Sequence, residues 1–213
     1  MNVGQKRELI RLAERSIPND DPSHDFLHTR RVLALAERIA AREGADPEIV
    51  IPAALFHDVV VLPKNDPRSR MSQTLSARKA RRLLARLKWY PDRKIPAVAR
   101  AIERCSFSQN LPKETVEEQV LQDADLLESV GAVAIARTFC SSGQMKRRFY
   151  DPDDPRGKNR PLAPKQNALD LFPVRLFQAG KRLTTRSARL IAKRREKTLR
   201  DFYRRFLAEI GGH

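Results

Sequence analysis

Apolar residues recur every three or four positions over 6–17, 26–42, 75–87, 93–104 and 114–139. That spacing lays them along one face of an α-helix and predicts a helical chain. The same period returns over about 166–184 and 186–209. Start and stop signals fall between these stretches. Asp21-Pro22 and Asp46-Pro47 each set a capping residue before a proline at the first helical position. Gly44, Gly131 and Gly180 stand where a helix can end or two can approach closely. Strand patterning is almost absent. "VVVLP" at 59–63 is the one β-branched run, and no hairpin turn follows it. Residues 150–165, "YDPDDPRGKNRPLAPK", read as a proline-rich surface loop. The expectation is an all-α fold: a single helical bundle domain over 1–213, with basic C-terminal helices over about 166–209 packed on it.

Composition bounds this picture. At 41% hydrophobic and 32% charged, the 213 residues can build one sizeable core. The longest apolar run, "IVIPAALF" at 49–56, falls short of the roughly 18 residues of a membrane span. "MNVGQKRELI" lacks the apolar stretch of a signal peptide. Cys105 and Cys140 form neither a disulfide framework nor a zinc spacing. A cytoplasmic protein with no membrane partner is predicted. Oligomeric state is not legible.

The net charge of +16 adds something. Its excess gathers in "KRLTTRSARLIAKRREKTLRDFYRR", opposed there only by Glu196 and Asp201. Such a field draws polyanions. A small phosphorylated substrate fits it, and a solvated helix face is the plain alternative. Nucleic acid is disfavoured by the low aromatic content, 6%, with no regular stacking platform.

Histidine supply constrains the chemistry most. Besides the terminal His213 there are His24, His28 and His57. In "SHDFLHTRRV" at 23–32, His24 and His28 are four apart and share a helix face. Alone, the pair resembles a zinc-peptidase helix with Asp25 in place of glutamate. Aspartate is one methylene shorter than that general base, a third ligand is missing, and His57-Asp58 is left unexplained. "AALFHDVVV" runs an apolar segment into His57-Asp58, a dipeptide that elsewhere simply ends a helix. "LQDADLLESVGA" sets Asp123 and Asp125 beside Leu121, Leu126 and Leu127. Carboxylates near an apolar face need an arginine or a metal ion, unless the segment is a solvated one continuing Glu117 and Glu118. Taken together, His28, His57, Asp58 and Asp125 make a mixed nitrogen–oxygen ligand set. It suits Mn²⁺, Mg²⁺, Co²⁺, Ni²⁺, Fe²⁺ or Zn²⁺ with positions left for water. A metal so held acidifies its water and binds a phosphoryl oxygen.

The order His28, His57-Asp58, Asp125 on successive helices resembles the HD-domain superfamily of metal-dependent phosphohydrolases. The closest branch is that of small bacterial predicted HD-superfamily hydrolases. The likeness runs through "HDFLHTRRV", "AALFHDVVVLPKNDPRSR", "CSFS", "QDADLLESVGAVAIARTF", "YDPDDP" and "SARLIAKRREKTLRDFYRRFLAEI". It implies an HD-type helical bundle with His28, His57, Asp58 and Asp125 as metal ligands. Asp125 is preferred to Asp123 because it precedes the Leu126-Leu127 step. It further implies His24 as a contact to phosphate or water, Asp25 as a helix cap or imidazole partner, and Arg31 and Lys64 as phosphate contacts. Asp58 and His24 are the expected catalytic groups. One divalent ion, Mn²⁺ by preference, and a nucleotide-like substrate follow from the same resemblance. Three departures stand out: Cys105 in "CSFS" where relatives read histidine, "DADLLES" for "DADRLDA", and "CSSG" at 140–143, which keeps only Gly143. With three usable histidines, a single-metal site is expected. The alternative is a catalytically weak HD fold that binds nucleotides or nucleic acid through its basic C-terminal face.

Overall fold

The computed structural model describes residues 1–17, 25–62, 66–106 and 111–212. Asp21-Pro22, His24, Lys64 and His213 lie outside the described residues. Among those described there is no strand, only an isolated parallel bridge between Arg148 and Asn167. The fold is all-α. The chain divides into two compact units, Met1–Asp125 and Leu126–His213.

The first unit is built around α3 (Pro47–Phe56). Every residue from Val50 to Phe56 is buried, so the helix is apolar on all sides. It packs against α1 (Val3–Glu14), α2 (Phe26–Glu43), α4 (Ser72–Leu84) and α5 (Ile95–Arg104). Its start is the one the sequence marks: Asp46 accepts a hydrogen bond from the Glu48 N–H at 2.8 Å, with Pro47 at the first helical position. Gly44 closes α2 in the left-handed conformation at φ 72°, where a side chain is strained. The unit ends in α6 (Val116–Leu126). There Glu118 is buried rather than solvated, with its carboxylate 2.7 Å from Arg100 Nε.

The second unit departs from simple periodicity in two places. The pattern over 114–139 predicts one helix, but α6 gives way to a 3₁₀ turn (Leu127–Ser129), and α7 (Ala132–Gln144) starts afresh. Gly131 makes the break at φ 91°, with its Cα against the Arg195 side chain. The helix expected over about 166–184 is shorter and irregular. A π-turn (Phe172–Leu176) leads into α8 (Phe177–Ala179) and a 3₁₀ turn (Gly180–Arg182). Residues 166–169 instead pair with the backbone of Arg148 and Phe149. The buried Asp170 takes two bonds from Arg160, at 2.7 and 2.9 Å, which ties this segment to the 150–165 loop. Helix α9 (Arg186–Ile210) is capped by Thr185 and covers an aromatic core of Phe139, Phe172, Phe202 and Phe206. Gly180 directly follows the last residue of α8 and also takes the second role expected of it, close approach. It leaves room for the Glu196 carboxylate, which a Cβ would meet at 1.9 Å.

Candidate metal centre

All the groups of the centre belong to the first unit. His28 lies in the first turn of α2, and Asp25 caps that helix by accepting the His28 backbone N–H at 2.9 Å. The cap fixes where the helix starts and hence where the His28 side chain emerges. His57 is the C-cap of α3, at the end of its buried run. Asp58 follows at once, and Asp125 comes from the last turn of α6.

Their atoms converge. His28 Nε2 and His57 Nε2 are 3.3 Å apart, with the rings edge to face. Asp58 Oδ2 is 3.4 Å from His57 Nε2 and 3.7 Å from His28 Nε2. Asp125 Oδ1 is 3.5 Å from His28 Nε2 and 4.0 Å from His57 Nε2. Both imidazole side chains are only 1% exposed, whereas Asp58 is 14% and Asp125 33% exposed. The centre therefore has a dry nitrogen floor and an oxygen rim that opens toward solvent.

His57 Nδ1 lies 2.9 Å from the Ala54 carbonyl. A carbonyl can only accept, so Nδ1 carries a proton and Nε2 is the nitrogen that faces the cluster. Two donors each about 2.1 Å from one ion lie roughly 3.0–3.4 Å apart at octahedral to tetrahedral angles. The two imidazole nitrogens, 3.3 Å apart, fall in that range, and the imidazole–carboxylate separations of 3.4–4.0 Å start at its upper edge. Donor atoms of His28, His57 and Asp125 all lie within 4.8 Å of one another. This His-His-Asp cluster could hold a divalent metal ion.

Other candidate residues fall around it. Asp123 is fully buried, yet among the described residues it is Asp125 that joins the two histidines. Cys105 is buried at the end of α5 as a free thiol. Burial, followed by the negative Asp125 and Asp58, pushes that thiol well above its usual pKa, so it stays neutral. Arg31 stands half-buried on α2, three residues past His28. His24 and Lys64, the other expected phosphate contacts, lie outside the described residues.

Some positioning groups went unread in the sequence. The β-branched run after Asp58 is strapped to α4 by that helix's polar side chains. Val60 N–H donates to Ser76 Oγ at 3.1 Å, Leu62 N–H donates to Ser72 Oγ at 3.2 Å, and Lys79 Nζ donates to the Val59 carbonyl at 3.2 Å. Burial lowers the Lys79 pKa. The available signal was weak: small hydroxyl residues four apart on the apolar face of α4.

An all-α first unit in which two buried histidines meet two aspartates defines a helical protein with a candidate metal centre. Residues 25–130 match the HD domain family, a span that contains every residue of the centre. The Bacillus subtilis protein YpgQ is 32% identical over 98% of this chain and 95% of its own length. The structure of YpgQ in complex with ADP superposes with a TM-score of 0.74 at 28% identity, covering 98% of this chain and 99% of that one. An HD-superfamily hydrolase from Bacillus thuringiensis gives a TM-score of 0.75 at 26% identity, covering 99% and 98%. The chain belongs to the HD-domain superfamily of phosphohydrolases.

Proposed function

We propose that this protein is a divalent-metal-dependent phosphohydrolase that cleaves a phosphoester or phosphoanhydride of a nucleotide-like substrate. The observation that carries the reading is the meeting of two buried imidazole nitrogens with the Asp58 and Asp125 carboxylates. The binding of ADP by YpgQ supports a nucleotide as the substrate class. His28, His57, Asp58 and Asp125 hold one ion, Mn²⁺ by preference over the other divalent metals their nitrogen–oxygen set accepts. When bound, the ion acidifies a water and withdraws charge from a phosphoryl oxygen.

The chain's own groups do the rest. Asp58, beside both rings and partly open to solvent, orients the attacking water and accepts its proton. The Ala54 carbonyl keeps His57 in its ligating tautomer. Arg31, with His24 and Lys64, neutralises charge on the phosphoryl oxygens.

The test is metal analysis followed by a panel of nucleotides and generic phosphoesters with added Mn²⁺. The expected result is one ion per chain and release of phosphate or pyrophosphate from nucleotides. His57→Ala and Asp58→Ala should each lose metal and cut turnover by more than the roughly 100-fold typical of removing an outer-shell group. A metal-loaded protein inert toward the whole panel would sink the proposal.

A further inference from the structure

The second unit holds most of the chain's charge excess. It carries 20 Lys and Arg against 8 Asp and Glu, while the first unit carries 22 against 18. The excess is ordered. Arg186, Arg189, Lys193, Lys197, Arg200 and Arg204 follow one another at steps of three or four along α9, and all are exposed. They form one stripe about 27 Å long. Arg186, Lys193 and Lys197 have no carboxylate partner among the described residues. Arg200 lies over the Phe177 ring at 4.7 Å, and Arg204 meets Asp201 at 3.0 Å.

One end of the stripe borders a cavity of about 380 Å³ lined by Arg156, Lys158, Tyr203, Arg204 and Leu207. Its two loop cations are held in place by the 150–165 loop. Asp154 accepts the Asn159 N–H at 2.6 Å, and Arg160 anchors the loop to the buried Asp170. Gly157, between the two cations, sits at φ 61° with its Cα against Leu162, where a Cβ would come within 2.3 Å. Tyr203 rests on Phe172 and Phe177, with ring centroids 5.4 and 5.3 Å away. The cavity thus joins an aromatic ring and an aliphatic wall to three cations.

We propose that the second unit binds single-stranded nucleic acid, with the sugar–phosphate backbone along the α9 stripe and one base seated against Tyr203 and Leu207. The cations supply phosphate contacts of no sequence preference, and the cavity admits a base only when it is unpaired. An anionic membrane surface fits the charge but not the helix. The apolar face of α9 is already packed in the aromatic core around Phe172 and Leu199, so it has no apolar face to insert.

The full-length protein, titrated into a fluorescein-labelled 20-nucleotide oligo-dT and followed by anisotropy, tests this. If about five of these eight cations contact phosphates, the log–log salt slope is about −3.5, hence roughly a hundredfold weaker binding at 200 mM than at 50 mM salt. Arg156→Glu/Lys158→Glu/Arg204→Glu should weaken binding at least tenfold and flatten the slope by about 2. Arg78→Glu/Arg81→Glu/Arg82→Glu, an equal charge change on exposed residues of α4, should leave both nearly unchanged. The wild-type protein should bind the single strand more tightly than its duplex, a readout that needs no variant. The proposal is overturned by no binding at 50 mM salt, by equal losses in the two triple variants, or by equal competition from inorganic polyphosphate. Tighter binding to phosphatidylserine vesicles than to the oligonucleotide would likewise overturn it.

Discussion

The two units solve opposite problems with their ionisable groups. In the first, cations and anions nearly balance, and the anions are paired or gathered at the histidines. Glu118 is bound by Arg100, Asp46 and Glu48 share Lys94, and Asp58 and Asp125 flank two buried histidines. Its core is mainly aliphatic, with Leu9, Ile39, Leu55, Leu84 and Leu121 fully enclosed. In the second, cations outnumber anions by more than two to one, and eight of the thirteen aromatic residues form or border the core. A helix with a long row of like charges repels itself, so it needs strong adhesion on its other face. Interlocked rings supply that, each aromatic pair adding about 0.5–1.5 kcal/mol beyond area burial. Charge is neutralised by partners in one unit, and exposed charge is carried by packing in the other.

The sharpest way to break this contrast is to remove the adhesion. Phe172 is fully buried, stacked on Phe202 at 5.9 Å and in ring contact with Phe139, Phe177 and Tyr203. Phe172→Ala should cost about 3–5 kcal/mol, read from urea unfolding. Added salt should recover part of that loss by screening α9, a response the first unit should not share. Next comes a deeply buried ion pair of the second unit, Arg160 with Asp170. Arg160→Ala strips Asp170 of its bidentate partner and leaves only the Ala163 N–H and the Asn167 amide. The expected cost is about 3 kcal/mol, with increased proteolytic cleavage in the 150–165 loop.

The first unit should respond to metal instead. If His28, His57, Asp58 and Asp125 hold an ion only when folded, Mn²⁺ at a hundred times its dissociation constant should stabilise the protein by about 2.7 kcal/mol. A thermal melt with and without metal reads this directly. His57→Ala should abolish the shift, whereas Phe172→Ala should retain it. A metal-dependent shift that survives His57→Ala would place the ion elsewhere.

What the sequence revealed follows the same division. Helix α2 was legible almost to the residue, expected over 26–42 and found over Phe26–Glu43, because capping and periodicity agree there. Spacing alone could not select among Asp123, Asp125 and their neighbours. Both aspartates lie on one short helix, and only the packing of α6 near α2 and α3 distinguishes them. The resemblance made that choice where periodicity left it open. In the second unit, periodicity misled. Apolar residues continue in helical register through Leu126–Val130, and a single glycine at positive φ overrides them. Over 166–171 the competing force is tertiary: Asn167 and Asp170 are buried to receive the 150–165 loop, and backbone pairing to Arg148 replaces the helix. Such contacts join residues of unlike character seven to twenty positions apart, so a pattern of helical periodicity cannot register them.

The smallest expected effect tests whether the first unit's anions are structurally committed away from the metal centre. Lys94 Nζ lies 2.6 Å from both Asp46 Oδ2 and Glu48 Oε2. The Lys94 ammonium, aided by the amino terminus at 2.7 Å, holds the Glu48 carboxyl down from about 4.5 to about 2. Its folded pKa is below its unfolded one, so the unfolded chain binds more protons between those values. The stabilisation is therefore complete above about pH 4.5 and is lost as pH falls toward 2. Glu48 is 28% exposed and solvent screens the pair, so the contribution is at most about 1 kcal/mol. Lys94→Met should remove most of it at pH 7 and flatten the decline in urea midpoint between pH 5 and pH 3. If Lys94→Met leaves that decline as steep as in the wild type, the acid sensitivity of the first unit lies with its other buried carboxylates, Glu118 foremost.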